Sequence, residues 1–596
     1  MKKVLPIGID NFCDIISNNC YYVDKTNYIK TVLTPGNKVL MLTRPRRFGK
    51  SLFIDTVRCF LQLDPNQPGN NCINKKLFSN LEITKDANFC NKYMGQYPVI
   101  SISLKDIEGA NFNRAYAMFA SKMQRVISQY AFLLNSPHLD QIELSTLKNY
   151  LTPGFLRDIE NIDDAQNLLN NLIIWLFKHF ERRVVVLIDE YDVPLAKAAE
   201  FGYYDQMLHL IRSFLAQALK EDPYAFNLND TPLLKAVLTG CLRVSKESLF
   251  TGMNNLEINT VVSEDTSFAG TIGFTETETT ELLEYCSLTS RRLDVKQWYN
   301  GYKFANEDIY CPWDVINFCN NANRSSNPLE YQPENYWDGT GSTSSIQEFL
   351  SFLKEDDAER MQLLIDGNQF PLTINDKLTY RDFSLHKSDD FWTLLLFTGY
   401  LTVVKRLPGA NSYSVRIPNE EIRDAFKRNI KERFSASNQQ FVSYGQNFAK
   451  AALTGNPVDM GIVLEELLKV YVSVRDLASK APTENYYHGF LVALLACAGS
   501  LAKDIRSNSE AGHGFADLMF TSGMGPRRIG VIIEIKRCNK NEEMYSHATE
   551  AINQIKTKRY NDALDKLRCS RQFIYGIAFC RKDFEIVVEE IKPMFA

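Results

Sequence analysis

One segment near the amino terminus constrains the fold more than any other. It is a short apolar run, KVLMLT from Lys38 to Thr43, that stops at a basic loop containing proline and glycine. The stretch that follows, SLFIDTVRCFLQL, has apolar residues at helical spacing, namely Leu52, Ile54, Val57, Phe60 and Leu61. This order predicts a strand, then a loop, then a helix.

Strands and helices continue to alternate as far as about residue 275. The runs PVISISL (Pro98–Leu104) and LLKAVLT (Leu233–Thr239) have the composition of strands. VVVLI, from Val184 to Ile188, is apolar without alternation, which is typical of a strand buried on both faces of a parallel sheet. Tyr204–Leu219 carries an apolar stripe at helical spacing. The alternation predicts an α/β domain built on a parallel sheet.

The pattern changes at Gly273, where Thr275 and Glu278 form a capping box that opens a helix. The chain from there to about residue 435 is predicted to be mainly helical. The elements predicted beyond about residue 440 are helices, strands at Gly514–Phe520 and Gly530–Lys536, a helix containing Ala551–Tyr560 and a strand at Phe573–Phe579. They indicate a second, smaller α/β unit.

Length and composition agree with several folded domains. The chain has 596 residues, of which 45% are hydrophobic and 23% charged, with a net charge of −4. At roughly 100–200 residues per domain, about three domains are expected, and we place them at 1–275, 276–435 and 436–596. The balance excludes a largely disordered or collagen-like chain, and the global charge favours neither a nucleic-acid nor a membrane partner.

Cysteine usage and apolar runs predict a cytoplasmic location. The 13 cysteines form no CxxC pair, and Pro6, Gly8 and Asp10 interrupt the apolar stretch near the amino terminus, so no signal-peptide core is expected. The longest nearly apolar run, Phe490 to Ala502, is too short to span a bilayer. No membrane association is therefore expected.

RPRRFGKS, from Arg44 to Ser51, has the layout of a phosphate-binding loop between a buried strand and a helix. In such a loop, backbone N–H groups face phosphate, a lysine reaches the outer phosphates and a hydroxyl binds Mg²⁺. Gly49, Lys50 and Ser51 supply the last three positions, while Arg44 stands where the first glycine belongs. The alternative is an ordinary basic loop entering a helix.

The VVVLI strand ends in Asp189 and Glu190, which favours the phosphate-loop interpretation. In this arrangement Asp189 would hold Mg²⁺ and Glu190 would polarise the attacking water. A helix N-cap with an acidic first turn is the other interpretation. Thr239, at the end of the next strand, is placed to sense a γ-phosphate, and Arg243 would either reach the nucleotide or form a surface ion pair.

A second group of candidate residues lies near the carboxyl terminus. Asp517 falls on a predicted strand, and Glu534 and Lys536 share one face of the next, because residues two apart in a strand point the same way. If the strands pair as a hairpin, the two carboxylates converge on one divalent cation and Lys536 lies near the attacking water. A solvated strand face is the alternative. The segment 527–571 has 11 basic and 6 acidic residues, which suits a phosphate backbone or simply a basic surface.

The amino-terminal part resembles the AAA-ATPase-like family of bacterial proteins. The stretches that carry the resemblance are LPIGIDNF, YYVDKTNYI, LTRPRRFGKSLF, VVVLIDEYDVPL, TGCLRVSKESLFTGMNNL and GFTETE. The family's usual loop has this basic form, which adds Arg46, Arg47 and Phe48 to the candidate nucleotide-binding residues. The resemblance implies ATP as the nucleotide. Pieces such as WYNGYKF, YCPWDVINF and VRIPNEEI extend it to about residue 420 and imply a helical, winged-helix-like lid.

The D…ExK pattern resembles the PD-(D/E)XK nuclease superfamily. Here Ala516 precedes Asp517, where the family motif has proline. In such folds an acidic residue on the first helix and a Gln or Lys on a later helix often complete the site, which implies accessory roles for Glu484 and Gln554. YYHGF and the segment from Gln554 to Tyr560 add to the resemblance.

Together these features predict an ATP-binding, ATP-hydrolysing module coupled to a Mg²⁺-dependent nuclease that acts on nucleic acid, with DNA favoured over RNA. The resemblance suggests a role in defence or in mobile-element biology. Two alternatives stay open, namely an ATP-dependent signalling switch whose nuclease-like domain only binds a partner, and a non-hydrolysing scaffold. A homo-oligomer is also left open.

Overall fold

A computed structural model describes residues 2–220, 231–242, 250, 254–305, 307–337, 355–365, 367–375, 378, 380, 388–426, 428, 439–471, 484–496, 498–511, 514–523, 525–538, 540–580 and 583–593. The chain divides into two compact units. The first comprises Met1–Trp337 and Gln369–Ile422, and the second comprises Asp338–Asn368 and Arg423–Ala596. The division into three domains at residues 275 and 435 stays a prediction.

The first unit is built on a parallel five-stranded sheet with the order β2-β3-β4-β1-β5. Its strands are β1 (Val39–Thr43), β2 (Val99–Ser103), β3 (Val184–Asp189), β4 (Leu233–Gly240) and β5 (Leu256–Asn259). Every residue of β1 and β3 is buried, which confirms the prediction from their unbroken apolar runs. Ser103 pairs with Asp189 and Leu42 with Thr239, so the carboxyl ends of β1, β2, β3 and β4 meet at one edge.

Helices pack around this sheet and connect its strands. They are α1 (Phe12–Ser17), α2 (Tyr28–Val32), α3 (Lys50–Leu61), α4 (Cys72–Phe78), α5 (Ala87–Tyr93), α6 (Phe112–Ser128), α7 (Gln141–Leu151), α8 (Ile162–Phe180), α9 (Val193–Glu200) and α10 (Tyr204–Leu219). In α3 the apolar stripe faces inward, with Phe53, Ile54, Val57 and Phe60 buried. The helix predicted after the basic loop is thus confirmed.

After β5 the first unit continues with helices and two small sheets. Its helices are α11 (Glu276–Tyr285), α12 (Arg292–Tyr299), α13 (Pro312–Arg324) and, after α14 of the second unit (Glu355–Ile365), α15 (Ser388–Thr398). The predicted capping box is present, because Glu278 N donates to Thr275 Oγ1 and Thr275 N donates to Glu278 Oε2. The carboxylate of Glu278 also pairs with Lys25 at 2.6 Å.

The strands in this stretch were not predicted. Antiparallel sheets form from β6 (Phe274–Thr275), β7 (Tyr302–Phe304) and β8 (Glu307–Tyr310), and from β9 (Phe370–Thr373), β10 (Thr402–Arg406) and β11 (Ser412–Arg416). Each strand has two to five residues. Strands this short leave little periodicity in the sequence and depend on their pairing partners.

The second unit contains a mixed five-stranded sheet with the order β12-β13-β14-β15-β16. Its strands are β12 (Lys503–Ala511), β13 (Gly514–Ser522), β14 (Ile529–Arg537), β15 (Arg571–Cys580) and β16 (Asp583–Ile591). Its further helices are α16 (Gln439–Thr454), α17 (Pro457–Tyr471), α18 (Glu484–Ala496), α19 (Met544–Lys558) and α20 (Asp562–Lys566). Only the β14–β15 pair is parallel among these neighbours, with α19 in the connection between them.

Helices cover both faces of this sheet. Val531, Ile533 and Ile535 of β14 belong to a core shared with α16, α17 and α18. Ile532 of β14 packs on the opposite face with residues of α19 and α20. The contact with α19 is close, since a Cβ on Gly576 of β15 would lie 2.0 Å from the carbonyl oxygen of Ala548. The face of β14 toward α19 also carries Glu534 and Lys536, because side chains alternate along a strand.

Candidate nucleotide-binding and nuclease sites

The phosphate loop joins β1 to α3 and wraps around the ammonium group of Lys50. Gly49 has a φ of +94°, a left-handed conformation that suits glycine, and the helix begins at the next residue. Lys50 Nζ donates to the carbonyl oxygens of Arg44 at 3.0 Å and Pro45 at 2.8 Å. The same atom lies 3.6 Å from the sulfur of Cys241, just after β4. The lysine therefore sits between the loop and the sheet edge.

Arg44, in the position of the missing glycine, anchors the start of the loop. Its guanidinium is buried and donates to the carbonyl oxygens of Thr43 at 2.8 Å and Phe268 at 3.1 Å, and to Asn259 Oδ1 at 2.8 Å. It also lies over the ring of Phe304, 4.7 Å from the ring centre. These contacts make Arg44 an anchor for the loop and leave it no role as a phosphate ligand.

The side chains of the next loop residues point in different directions. Arg46 is exposed, whereas the Arg47 guanidinium lies 4.9 Å from the Trp313 ring centre and donates to the carbonyl oxygen of Tyr336. Phe48 is 1% exposed and packs against the aromatic rings of β7. For Arg47 and Phe48, a contact with phosphate would therefore come from the backbone.

Asp189 connects three candidate residues at the sheet edge. Its Oδ2 accepts a hydrogen bond from Ser51 Oγ at 2.5 Å, and its Oδ1 accepts one from Thr239 Oγ1 at 2.5 Å. The backbone N–H of Glu190 also donates to Oδ1, at 3.0 Å. A hydroxyl and a carboxylate held together are hard oxygen donors of the type that Mg²⁺ prefers, so these residues fit that cation.

Glu190 has the surroundings of a general base. Its backbone is left-handed, with a φ of +52°. Burial raises the pKa of its carboxyl group and the adjacent Asp189 raises it further, while Lys50 and Lys105 oppose the shift. A carboxyl with a raised pKa accepts a proton more readily near neutral pH.

Arg243 lies outside the described residues. The structure instead shows contacts that the sequence did not predict. Asp192 accepts hydrogen bonds from the backbone N–H groups of Cys241 and Leu242 and from the hydroxyl of Tyr380. Asp192 is the second aspartate of IDEYD, and that position could have indicated a role in holding the backbone near the site. Nothing in the sequence linked Asp192 to Tyr380.

In the second unit, β13 and β14 pair as the predicted antiparallel hairpin, with Leu518 opposite Ile533. Glu534 Oε2 accepts from the backbone N–H of Asp517 at 3.4 Å, and Asp517 Oδ2 accepts from the N–H of Ile535 at 2.8 Å. Lys536 Nζ lies 3.7 Å from Glu534 Oε1. The structure therefore brings Asp517, Glu534 and Lys536 together.

Side chains from two helices contact this group. The amide nitrogen of Gln554, on α19, donates to Glu534 Oε1 and lies 3.4 Å from the hydroxyl of Tyr560. His488 Nε2, on α18, lies 2.7 Å from the carbonyl oxygen of Asp517, which can only accept, so this nitrogen donates. Glu484 is the first residue of α18, but its side chain lies outside the described residues.

Burial and the neighbouring groups shift the pKa of Asp517 in opposite directions, and burial has the larger effect. Burial raises the pKa of Asp517, while the N–H of Ile535 and the neighbouring His488 and Lys536 oppose the shift. Glu534 is 1% exposed. Two carboxyl groups on paired strands, that of Glu534 buried and that of Asp517 partly buried, supply oxygen donors suited to a divalent cation, so the residues fit Mg²⁺.

Part of the positive charge in segment 527–571 is paired with acidic groups. Lys556 pairs with Glu589 at 2.5 Å and Arg571 with Glu590 at 2.7 Å, and both acids come from β16, outside the segment. The surface is therefore less basic than the segment's composition indicates. Within the described ranges, no group of three or more His, Cys, Asp or Glu side chains is arranged to hold a metal ion.

The fold and the two groups of residues define an α/β protein with a unit built on a parallel sheet, of the ATPase-like type, and a nuclease-like unit built on a mixed sheet. Comparison with known families agrees. Residues 6–250 match the family described as "Predicted AAA-ATPase", and residues 482–589 match the PD-(D/E)XK nuclease superfamily. The chain thus combines an AAA-ATPase-like domain with a carboxyl-terminal PD-(D/E)XK nuclease superfamily domain.

A bacterial protein is similar over much of the chain. It comes from Azotobacter chroococcum mcd 1 and is described as an uncharacterized protein in the vnfD 5'region. The two are 27% identical over 442 residues, which covers 73% of this chain and 71% of the relative. In the described part of the chain, no helix has both the length and the apolar character needed to cross a membrane.

Proposed function

We propose that this protein binds and hydrolyses ATP in its first unit and cleaves nucleic acid in its second, with Mg²⁺ required for both reactions. DNA is the favoured substrate. The observation that supports the first activity is the pair of hydrogen bonds that join Ser51 and Thr239 to Asp189 at the edge of the sheet. The second activity is supported by the contacts among Asp517, Glu534 and Lys536.

In the ATP reaction, the loop from Arg46 to Gly49 and the ammonium group of Lys50 bind the phosphates. Ser51 and Asp189 hold Mg²⁺, which supplies charge neutralisation at the phosphates. Glu190 accepts the proton of the attacking water, and Thr239 contacts the γ-phosphate. Arg243 stays a candidate for contact with the nucleotide.

In the nuclease reaction, Asp517 and Glu534 hold Mg²⁺, which supplies Lewis-acid stabilisation of charge at the scissile phosphate. Lys536 orients the attacking water and stabilises negative charge on the phosphate oxygens. Gln554 fixes the orientation of the Glu534 carboxylate through its amide hydrogen bond. Glu484 is the further acidic residue proposed for this site.

A nuclease assay with and without ATP tests the proposal. Purified full-length protein is incubated with linear DNA or RNA and Mg²⁺, and cleavage and phosphate release are measured in parallel. We expect Mg²⁺-dependent cleavage that Asp517→Ala abolishes while ATP hydrolysis continues. Wild-type protein that cleaves neither nucleic acid, with or without ATP, would contradict the nuclease half of the proposal.

The proposed setting is the bacterial cytoplasm, where both ATP and Mg²⁺ are present. The proposed biological role is either defence against foreign DNA or the mobility of such DNA. The role is tested by comparing phage plating on cells that express wild-type protein or Asp517→Ala. Equal plating on the two, together with equal plasmid uptake, would count against it. Light scattering of the purified chain would establish whether it acts as a homo-oligomer.

A further inference from the structure

We propose that Asp192 is a positioning residue of the nucleotide site, which holds the backbone after β4 against the phosphate loop and is itself held by Tyr380. The inference rests on the proposed function, since it concerns how this site recognises ATP. Beyond the proposed function, it makes ATP recognition depend on Tyr380, which lies far downstream of the parallel sheet in the sequence.

The carboxylate of Asp192 is at the centre of the contacts. It is 2% exposed, and its Oδ2 accepts three hydrogen bonds. The donors are the backbone N–H of Leu242 at 2.8 Å, the backbone N–H of Cys241 at 3.1 Å and the hydroxyl of Tyr380 at 3.0 Å. Hydrogen bonds to a charged acceptor are stronger than neutral ones, so this group fixes the backbone firmly.

The residue beside Asp192 holds the same backbone from another side. The Tyr191 hydroxyl donates to the carbonyl oxygen of Leu242 at 2.6 Å. A Cβ on Gly240 would lie 2.6 Å from Asp192 Oδ1 and 2.7 Å from the Tyr191 ring, so the strand end packs directly against both side chains. The segment from Gly240 to Leu242 is therefore fixed through its N–H groups, its carbonyl and its packing.

Two contacts connect this segment to the candidate nucleotide-binding residues, one just before it and one within it. Thr239, just before it, donates to Asp189, and the sulfur of Cys241, within it, lies 3.6 Å from Lys50 Nζ. A shift of the segment would move the Thr239 hydroxyl relative to both the acid and the lysine. Because Thr239 is proposed to contact the γ-phosphate, which ADP lacks, such a shift would weaken ATP binding more than ADP binding.

Tyr380 extends the site beyond the segment that matches the ATPase family, which ends at residue 250. Burial raises the pKa of the Tyr380 hydroxyl well above its ordinary value, and Asp192 and Cys241 raise it further, so the group stays protonated and donates. The contact links residue 380 directly to the carboxylate that holds the strand end.

The test compares four full-length variants by calorimetric titration with ATP and with ADP, together with steady-state ATP hydrolysis. Asp192→Ala should lower the preference for ATP over ADP by about tenfold, with ADP affinity within about threefold of wild type, as expected for loss of buried hydrogen bonds. Asp192→Asn keeps an oxygen acceptor and should retain most of the preference. Tyr380→Phe should lower the preference for ATP over ADP by about threefold.

Tyr116→Phe is the matched control, because Tyr116 is buried in the same unit and its hydroxyl donates to the carbonyl oxygen of Leu156 at 2.9 Å. It should lower the melting temperature as Tyr380→Phe does but leave the ATP/ADP ratio unchanged. The inference is overturned if Tyr380→Phe and Asp192→Asn both fold and Tyr380→Phe retains the wild-type ratio of ATP to ADP affinity and the wild-type turnover of ATP. Wild-type protein that binds no ATP contradicts the proposed function itself.

Discussion

Two consecutive carboxylates, Asp189 and Glu190, have surroundings that suit them to different tasks. Asp189 accepts hydrogen bonds from two hydroxyl groups, with Oδ2 oriented toward Ser51 and Oδ1 toward Thr239. Glu190 has a raised pKa, owing to burial and to its acidic neighbour. Adjacent acids with such contrasting environments commonly divide into a metal ligand and a proton acceptor. Substitution at Glu190 tests this division.

Glu190→Gln should lower the turnover of ATP by about a hundredfold or more, because an amide cannot accept the proton of water. ATP affinity should stay within a few-fold of wild type, since the phosphate loop and Asp189 are unchanged. Phosphate release and calorimetric titration measure the two effects separately. Loss of affinity with unchanged turnover at saturation would instead assign Glu190 to binding.

The three residues of the proposed nuclease site should separate into two metal ligands and one residue that is not a ligand. Asp517→Asn and Glu534→Gln should both abolish cleavage and weaken the binding of Mn²⁺, because each removes an anionic oxygen donor. Lys536→Ala should abolish cleavage but retain Mn²⁺ binding, since an ammonium group is not a ligand. Calorimetric titration with Mn²⁺ provides a readout that does not depend on cleavage. Weaker Mn²⁺ binding in Lys536→Ala would contradict the assignment.

Several contacts among these residues could be predicted from the sequence because a simple geometric rule relates them. Ser51 lies in the first turn of α3, and Asp189 and Thr239 lie at the carboxyl ends of strands that meet at one sheet edge. Glu534 and Lys536 are two apart on a strand. The contact between Asp192 and Tyr380 follows no such rule. It joins segments far apart in the chain, and although Asp192 lies in a family-like stretch, no motif spacing relates it to Tyr380.

At the scale of elements, prediction succeeded where burial imposes a long, uniform pattern. The apolar strands β1, β3 and β4 and the amphipathic helices α3 and α10 were predicted because each buries an unbroken run or a full stripe. The edge strand β16 was not predicted, since most of its residues are only partly buried and acidic residues interrupt it. Strands of this kind are specified by their neighbours more than by their own sequence.

A buried acid pair joins two elements beside the phosphate loop and should make stability depend on pH. Asp314, on α13, and Glu421 influence each other electrostatically and are at most 1% exposed. Burial raises the pKa of Asp314 to about 6, with Glu421, Cys311 and Arg47 opposing the shift. Burial also raises the pKa of Glu421 well above its ordinary value, and Asp314 raises it further. The folded protein therefore retains protons that the unfolded chain releases.

The raised pKa values of Asp314 and Glu421 determine how folding stability changes with pH. Stability from the pair is fully present below the ordinary carboxyl pKa values and is lost as the pH rises through about 6 and beyond. One pKa unit corresponds to about 1.4 kcal/mol, so the rise of the Asp314 pKa from 3.8 to about 6 corresponds to a loss of about 3 kcal/mol. Asp314→Asn should flatten the dependence of unfolding free energy on pH between 5 and 8, as measured by urea denaturation at a series of pH values. An unchanged slope would contradict the assignment.

At the scale of the whole molecule, the family matches leave residues 251–481 outside both domains. The structure assigns part of this stretch to the first unit, where Trp313 stacks on Arg47 and Tyr380 contacts Asp192. Motif positions could predict the two kinds of domain on one chain. They could not predict how far the first unit extends, because that boundary depends on contacts between distant segments.

If ATP controls the nuclease, a change confined to the phosphate loop must alter cleavage in the other unit. Lys50→Ala should remove ATP binding, because it leaves the charge of the outer phosphates without its cation. In the presence of ATP, its rate of DNA cleavage should differ from that of wild type by at least severalfold, and should equal the rate of wild type without ATP.

Lys235→Ala is the matched control for Lys50→Ala. Lys235 is a buried lysine of β4 in the same unit, and its ammonium group donates to the carbonyl oxygen of Asn37 at 2.7 Å, away from the phosphate loop. Any loss of stability from removing a buried lysine should occur in both variants, but only Lys50→Ala should lose the response of cleavage to ATP. Equal cleavage by wild type and Lys50→Ala with ATP present would mean that the chain carries two independent activities.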